Sequence, residues 1–145
     1  MSPRAFDAVT LVAGAASGPI LKLDEPLSFW GGLDPANGEL VDTHHAQRGT
    51  TITGRVLVMP SGRGSSSSSY VLAEAIRAGT APAAIVLREP DGIIALGAIV
   101  ARELYGVATP VVALGDLAYG RIADGETLRV LAEEDGASIH TVEGT

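Results

Sequence analysis

Apolar residues in the second half of the chain fall into two kinds of run, which predict strands and helices. Short, nearly continuous apolar runs at residues 54–59, 83–87 and 110–114 are typical of buried strands. Between them, residues 70–78 and 93–104 carry apolar positions at helical spacing, and a glycine follows each of these runs. The pattern therefore predicts a β-α-β-α-β unit, whose right-handed crossovers build a small parallel sheet.

Strands are also predicted at both ends of the chain, so that they flank this α/β middle. Residues 8–13 form a short apolar run, and residues 20–24 alternate between apolar and polar positions. The small residues between them, 14–18, predict a turn. Near the C-terminus, residues 127–131 and 138–142 predict a hairpin. The fold class expected is α/β, with one domain over residues 1–145.

Composition and charge narrow the range of possible functions. Of the 145 residues, 46% are hydrophobic and 19% are charged, which indicates a folded domain rather than a disordered chain. The formal net charge of −7 disfavours nucleic acid and anionic membranes as partners. No apolar run approaches the ~18 residues that span a bilayer, so we expect a cytoplasmic protein. Because the sequence has no cysteine, it supplies no thiolate for catalysis or for a cluster.

A glycine–serine segment lies between the first predicted strand of the unit and its helix. Gly62 and Gly64 flank Arg63, and a run of five serines follows. Glycines let backbone N–H groups converge, the helix N-terminus adds partial positive charge, and an arginine adds a two-pronged donor, so the segment resembles an anion site. The alternative is a flexible loop or a simple helix cap. The spacing fits neither a Walker loop nor a G-x-S-x-G nucleophile elbow.

Residues 25–50 show no periodicity, and a segment of this length without regular structure is more often functional than idle. It contains the only tryptophan, Trp30, which is either a core residue or an aromatic anchor at an interface. It also contains His44 and His45. No third ligand is suitably spaced for a metal, so a loop role at an interface is the preferred interpretation.

Several motifs in order resemble the small subunit of aconitase X. They are PLSFWGGLDP at residues 26–35, VLVMP at 56–60, GRGSSSSSY at 62–70 and GTAPAAIV at 79–86. The resemblance extends from about residue 14 to residue 114. It implies a swivel domain, a β/β/α fold that closes over a larger iron–sulfur subunit.

The resemblance also implies roles for individual residues. In that family the serine directly after the Gly-Lys/Arg-Gly step accepts a proton, and this position is Ser65 here. Such a serine needs backbone donors and a helix dipole to stabilise the developing alkoxide, and a turn before a helix can supply both. Ser69 and Tyr70 also fall on family motif positions. The residues predicted to bind substrate are Arg63, Gly64, Ser66, Ser69 and Tyr70.

The implied reaction is the dehydration of a hydroxy acid by a heterodimer. The iron–sulfur cluster or metal belongs to the large partner subunit, and this chain is expected to bind none. Family members act on cis-3-hydroxy-L-proline or on mevalonate 5-phosphate. The composition and Trp30, where archaeal members tend to have leucine, favour cis-3-hydroxy-L-proline and its product pyrroline-2-carboxylate. The alternatives are the mevalonate 5-phosphate enzyme and a non-catalytic swivel module that only binds.

Overall fold

The computed structural model describes residues 4–142 of the chain. Its elements, in chain order, are β1 (Ala5–Val12), β2 (Gly14–Lys22), α1 (Phe29–Gly32), β3 (Leu33–Asp34), β4 (Glu39–Leu40), β5 (Val56–Met59), α2 (Ser67–Ala78), β6 (Ala84–Leu87), α3 (Gly92–Tyr105), β7 (Val111–Ala113), α4 (Asp116–Gly120), β8 (Thr127–Glu133) and β9 (Gly136–Val142). The order confirms the predicted β-α-β-α-β unit, which is β5-α2-β6-α3-β7, and the C-terminal hairpin of β8 and β9. The short helix α4 was not predicted.

Seven strands form a closed barrel in the order β1-β7-β6-β5-β2-β8-β9, which the pairing of β9 with β1 completes. Strands β2, β5, β6 and β7 run parallel to one another, and the remaining pairs are antiparallel. The long strands β1 and β2 join the two parts, because each pairs with an antiparallel neighbour of the hairpin along its first half and with the α/β unit along its end. The result is a mixed α/β fold.

The turn predicted at residues 14–18 is wrong, because β2 already begins at Gly14 and pairs with β8 from there to Pro19. The small side chains in this stretch have a packing reason instead. A Cβ atom on Gly18 would lie 2.5 Å from the backbone oxygen of Gly54. Two segments of backbone therefore approach closely here, and the glycine reflects that contact rather than a change of chain direction.

Two apolar cores lie on opposite faces of the parallel strands. On β5, Val56 and Val58 face the barrel interior, while Leu57 and Met59 pack beneath α2 and α3. Strand β6 divides its side chains in the same way. Since successive side chains of a strand point to opposite faces, a strand buried on both faces must be apolar throughout. This explains the continuous apolar runs from which the strands were predicted.

The helices lie over the outer face of the parallel strands, and each ends at a glycine in the left-handed conformation, Gly79 for α2 and Gly106 for α3. Helix α2 begins at Ser67, three residues earlier than predicted, because the serines that open it carry no apolar signal. Within residues 4–142, no helix is both long enough and apolar enough to cross a membrane.

The first helical segment, α1, is a tight turn rather than a helix. Trp30 has φ −74° and ψ 116°, and Gly31 has φ 78° and ψ −14°, which are the central angles of a type II β-turn. The positive φ at the third position explains why a glycine stands there. Phe29 is fully buried and anchors the turn, whereas Trp30 is 59% exposed at its tip. Trp30 is therefore not a core residue.

Candidate functional site

The candidate site lies at the end of the barrel where the four parallel strands have their carboxyl ends. From the end of β5, residues 60–66 lead into α2, and from the end of β6, residues 88–91 lead into α3. Beside them, the chain that leaves β2 pairs with the first of these turns through a bridge between Leu27 and Gly62. Loops at the carboxyl ends of parallel strands are where α/β proteins place their binding groups.

Two glycines shape the serine turn, residues 62–66, because neighbouring side chains occupy the space that a Cβ atom would need. A Cβ on Gly62 would lie 2.6 Å from Oδ2 of Asp91. Gly64 has φ +99°, and a Cβ there would lie 2.5 Å from Oγ of Ser28. The turn is therefore packed tightly between two other segments, and it is not the flexible loop that its composition also allowed.

Ser65 directly precedes Ser66, the N-cap residue of α2, and its own side chain is exposed. Its Oγ accepts a hydrogen bond from the backbone N–H of Ser67 at 3.2 Å, and its carbonyl oxygen accepts one from Ser68 at 3.0 Å. Since Ser67 is the first residue of α2, the Ser65 hydroxyl group caps a backbone N–H that has no partner within the helix. The Ser65 oxygen thus has a backbone donor and a helix N-terminus beside it, the two features that stabilise negative charge on oxygen.

The predicted substrate-binding residues separate into two groups. Arg63 and Gly64 line a cleft of about 80 Å³ together with Asp91 and with apolar side chains from two other segments, residues 27–29 and the start of α3. Ser69 and Tyr70 line a different groove, of about 290 Å³, between the outer faces of α2 and α3. Ser66 is exposed on the turn itself. The structure thus brings Arg63 and Gly64 together with the turn that carries Ser65, while Ser69 and Tyr70 face a separate surface.

The side chain of Arg63 is exposed, and it is the cation nearest in sequence to Ser65. Its Nη2 donates to the carbonyl oxygen of Pro26 at 3.0 Å, which holds the guanidinium group beside the turn. The other donors of the fork remain available, because the guanidinium group carries five N–H bonds.

Lys22, at the end of β2, binds the segment around α4 rather than the serine turn. Its Nζ donates to the backbone oxygens of Tyr119 and Ile122 and lies 4.8 Å from the centre of the Tyr119 ring. Burial raises the pKa of the Tyr119 phenol, so that ring stays neutral beneath the ammonium group. Lys22 therefore holds α4 against the barrel, whereas Arg63 is available to a ligand.

Two further residues, Ser68 and Asp91, line the cleft with Arg63 and Gly64, and neither was predicted from the sequence. Ser68 is 3% exposed, and its Oγ accepts a hydrogen bond from the backbone N–H of Trp30 at 3.2 Å. Asp91 caps α3 by accepting from the N–H groups of Ile93 and Ile94 at 2.9 and 3.1 Å. Asp91 stands directly before the apolar helical run, which is a recognisable N-cap signal. Nothing in the sequence distinguishes Ser68 from its four neighbours.

The histidine pair does not form a metal site with its surroundings. His45 is 5% exposed, and its Nδ1 accepts from the backbone N–H of Gln47 at 3.0 Å, whereas His44 is exposed. Within residues 4–142 there is no group of three or more His, Asp or Glu side chains arranged to hold a metal ion. The side chains described here do not fit an iron–sulfur cluster, which is held by cysteine thiolates, so any such thiolates lie outside this sequence.

Comparison with known proteins gives the sequence and structural context of this site. The family model described as the aconitase X swivel domain matches residues 5–139. The crystal structure of Thermococcus kodakaraensis aconitase X in its holo-form superposes with a TM-score of 0.84 at 32% identity, over 97% of this chain and 99% of that chain. The swivel fold that the sequence motifs implied is therefore confirmed.

Two kinds of relative match at the sequence level. The cis-3-hydroxy-L-proline dehydratase of Pseudomonas aeruginosa is 52% identical over 123 residues, which cover 80% of this chain and 21% of that protein. The phosphomevalonate dehydratase small subunit of Methanopyrus kandleri is 46% identical over 99 residues, which cover 68% of this chain and 73% of that subunit. This chain thus spans about one fifth of the length of the hydroxyproline dehydratases it matches.

Proposed function

Because this chain belongs to the aconitase X swivel-domain family, we propose that it is the small subunit of a dehydratase and that it supplies the proton-accepting side chain, Ser65. The observation that carries the proposal is the position of the Ser65 hydroxyl group. It is exposed at the N-terminus of α2, and the N–H of Ser67 donates to it. A hydroxyl in that setting is the group on this turn best able to carry negative charge.

For the substrate we propose cis-3-hydroxy-L-proline. The 52% identity to the Pseudomonas aeruginosa hydroxyproline dehydratase supports this choice. The 46% identity to a phosphomevalonate dehydratase small subunit makes mevalonate 5-phosphate the second candidate. Both molecules carry an anionic group, and so both suit a turn that offers a helix N-terminus and an arginine.

The residues of this chain would act on the carbon that loses its proton and on the substrate anion. Ser65 in its alkoxide form takes the proton from the carbon next to the carboxylate. The electrons of that C–H bond form the carbon–carbon double bond, and the hydroxyl group on the neighbouring carbon departs as water with the proton that Ser65 took, which restores the alkoxide. From cis-3-hydroxy-L-proline this gives an enamine with a C2–C3 double bond, which becomes pyrroline-2-carboxylate when a proton moves from the ring nitrogen to C3. Arg63 and the amides of the turn at Gly64 and Ser66 hold the anion, which fixes the reacting carbon near Ser65.

The rest of the active site would come from a large partner subunit of the aconitase X type. In this proposal that subunit holds an iron–sulfur cluster or metal, which polarises the departing hydroxyl group as a Lewis acid. The absence of cysteine from this sequence agrees with that division of labour. For Ser69 and Tyr70, which face the groove between α2 and α3, we propose a contact with bound substrate only in the assembled enzyme.

The experiment is to combine this chain with the large subunit and to measure dehydration of cis-3-hydroxy-L-proline and of mevalonate 5-phosphate side by side. The proposal expects turnover of the first substrate that depends on both chains. Turnover of mevalonate 5-phosphate alone would make that molecule the substrate, and the protein would still be assigned as a dehydratase subunit. A stable complex that dehydrates neither would favour the non-catalytic module and contradict the proposed function.

A further inference from the structure

Two segments that are about forty residues apart in sequence meet at the candidate site. Residues 26–30 follow β2, and residues 62–68 form the serine turn and the start of α2. At their N-terminal ends the two segments are joined by backbone contacts. These are the bridge between Leu27 and Gly62 and a hydrogen bond from the N–H of Arg63 to the Leu27 oxygen at 3.2 Å. Farther along, where Trp30 begins its turn, the contacts come from side chains.

Both main-chain polar groups of Trp30 are bound by serine hydroxyl groups. The Trp30 N–H donates to Oγ of Ser68 at 3.2 Å. The Trp30 carbonyl oxygen accepts from Oγ of Ser28 at 2.9 Å, and the two serine oxygens lie 3.4 Å apart. Ser68 and Ser28 together therefore form a hydroxyl clamp on one peptide segment.

The two ends of the Trp30 turn are held by the buried Phe29 and by Gly32, whose carbonyl oxygen accepts from the N–H of Val41 at 2.9 Å, so the clamp acts on the exposed tip between them. The indole side chain is 59% exposed, so its own burial contributes little. A Cβ atom on Gly31 would meet nothing within 4 Å, which shows that the tip projects from the surface. At the tip, the side-chain contacts that hold the main chain of Trp30 are those of the two serine hydroxyl groups.

The helix geometry connects this clamp to Ser65. Ser68 is three residues after Ser65 and donates its N–H to the Ser65 carbonyl oxygen at 3.0 Å. Its side chain points inward and is 3% exposed, while Ser65 is exposed. Gly64, on the serine turn, would collide with Ser28 of the other segment if it carried a Cβ atom. The serine turn and the Trp30 turn are thus built against each other as one unit.

We propose that Ser68, assisted by Ser28, is a positioning residue that fixes the Trp30 turn relative to Ser65, so that Phe29 keeps its place as one wall of the cleft that Arg63 and Gly64 line. The inference rests on the proposed function for its consequence in catalysis. The clamp itself is a property of the chain alone, and it can be tested without activity. In this proposal Ser65 accepts the proton, and Ser68 positions the residues beside it.

The first test is hydrogen exchange of the Trp30 amide in the full chain. The sequence contains one tryptophan, so labelling with ¹⁵N-tryptophan yields a single backbone amide signal. In Ser68→Ala this amide loses its acceptor, and its exchange protection should fall by about tenfold. Ser28→Ala should lower the protection less, because Ser68 still accepts the bond. Ser67→Ala is the matched control, since it removes an exposed hydroxyl group from the same helical turn, and it should leave the protection unchanged.

Unchanged protection in a folded Ser68→Ala variant would overturn the clamp, and so would an equal loss in Ser67→Ala. Circular dichroism of each variant establishes that it is folded. Should Ser68→Ala fail to fold, Ser28→Ala still decides the matter, because the proposal requires some loss of Trp30 protection there as well.

The second test concerns catalysis by the assembled enzyme. Misplacement of a site wall by about 1 Å can lower turnover as much as a hundredfold. Ser68→Ala should lower kcat by at least about tenfold, whereas Ser17→Ala, an exposed serine on β2, should not. An unchanged kcat together with lost Trp30 protection would overturn the positioning role in catalysis. Because the exchange experiment needs no substrate, its result stands even if Ser65 proves not to be the proton acceptor.

Discussion

The two strand–helix turns at the same edge of the sheet, β5–α2 and β6–α3, satisfy the N-termini of their helices differently. At α3 the cap is the carboxylate of Asp91, which accepts from two backbone N–H groups. At α2 the N-cap residue, Ser66, makes no side-chain hydrogen bond, and the cap is the neutral hydroxyl group of Ser65, which accepts from one N–H at 3.2 Å. No acidic residue lies in the first turn. The positive end of α3 thus already faces a built-in anion, whereas that of α2 remains open to an anion from outside.

This difference assigns separate tasks to two similar pieces of structure. Asp91 stabilises the fold, and its position beside Gly62 makes α3 a support for the serine turn. Ser65 stabilises α2 less than a charged cap would, and in the proposed function it leaves the helix N-terminus open to substrate. Functional sites commonly depart from the most stable choice in this way.

The largest expected effect on stability concerns the glycines of the two turns. Gly64→Ala places a side chain at φ +99° and against Oγ of Ser28, so the free energy of unfolding should fall by about 1–3 kcal/mol. Gly92, at the start of α3, has no atom within 4 Å of the added Cβ. Gly92→Ala should therefore change it by no more than about 0.5 kcal/mol. Urea unfolding of both variants measures this difference, and equal losses would contradict the tight packing of the serine turn.

Removal of the Asp91 side chain should lower the free energy of unfolding more than removal of the Ser65 side chain, because Asp91 accepts two hydrogen bonds and Ser65 accepts one. Asp91→Ala should lower the free energy of unfolding by about 1–2 kcal/mol, because two N–H groups and the helix dipole lose their partner. Ser65→Ala should cost about 0.5 kcal/mol, near the low end for an N-cap. The same urea experiment applies. A larger loss for Ser65→Ala would mean that Ser65 is mainly a structural cap.

The smallest expected effect comes from exchanging the caps. Ser65→Asp brings a carboxylate to the open end of α2 and should raise the free energy of unfolding by about 0.5 kcal/mol. The reverse exchange, Asp91→Ser, should lower it by a similar amount. Thermal unfolding at low ionic strength detects both shifts. If Ser65→Asp destabilised the chain, the N-terminus of α2 would not be the open anion site that the two turns indicate.

Much of the fold could be predicted because burial on both faces leaves a strong signal. The strands β5, β6 and β7 are apolar throughout, and the helices between them end at glycines. The closure of the barrel could not be predicted, because it depends on β1 pairing with β9 as well as with β7. The error at residues 14–18 has a similar cause, since small residues are also used where backbones approach closely.

The site was predicted only as far as local sequence determines it. A glycine-flanked turn before a helix predicts a serine near the helix N-terminus, and the Ser65 hydroxyl group does accept from the first N–H of α2. The inward direction of Ser68 depends on where residues 28–30 come to lie, and that contact joins residues 38 positions apart in the sequence. Because residues 65–69 are all serine, the sequence does not indicate which of them makes this contact.

The most direct measurement of the central claim is the turnover number of Ser65→Ala in the assembled enzyme, with Asp91→Ala as the comparison. General base catalysis contributes about 10²–10⁴-fold, so kcat should fall by that factor in Ser65→Ala while its unfolding free energy changes less than that of Asp91→Ala. Turnover near the wild-type level in Ser65→Ala would remove Ser65 from the reaction and contradict the account of the open helix end.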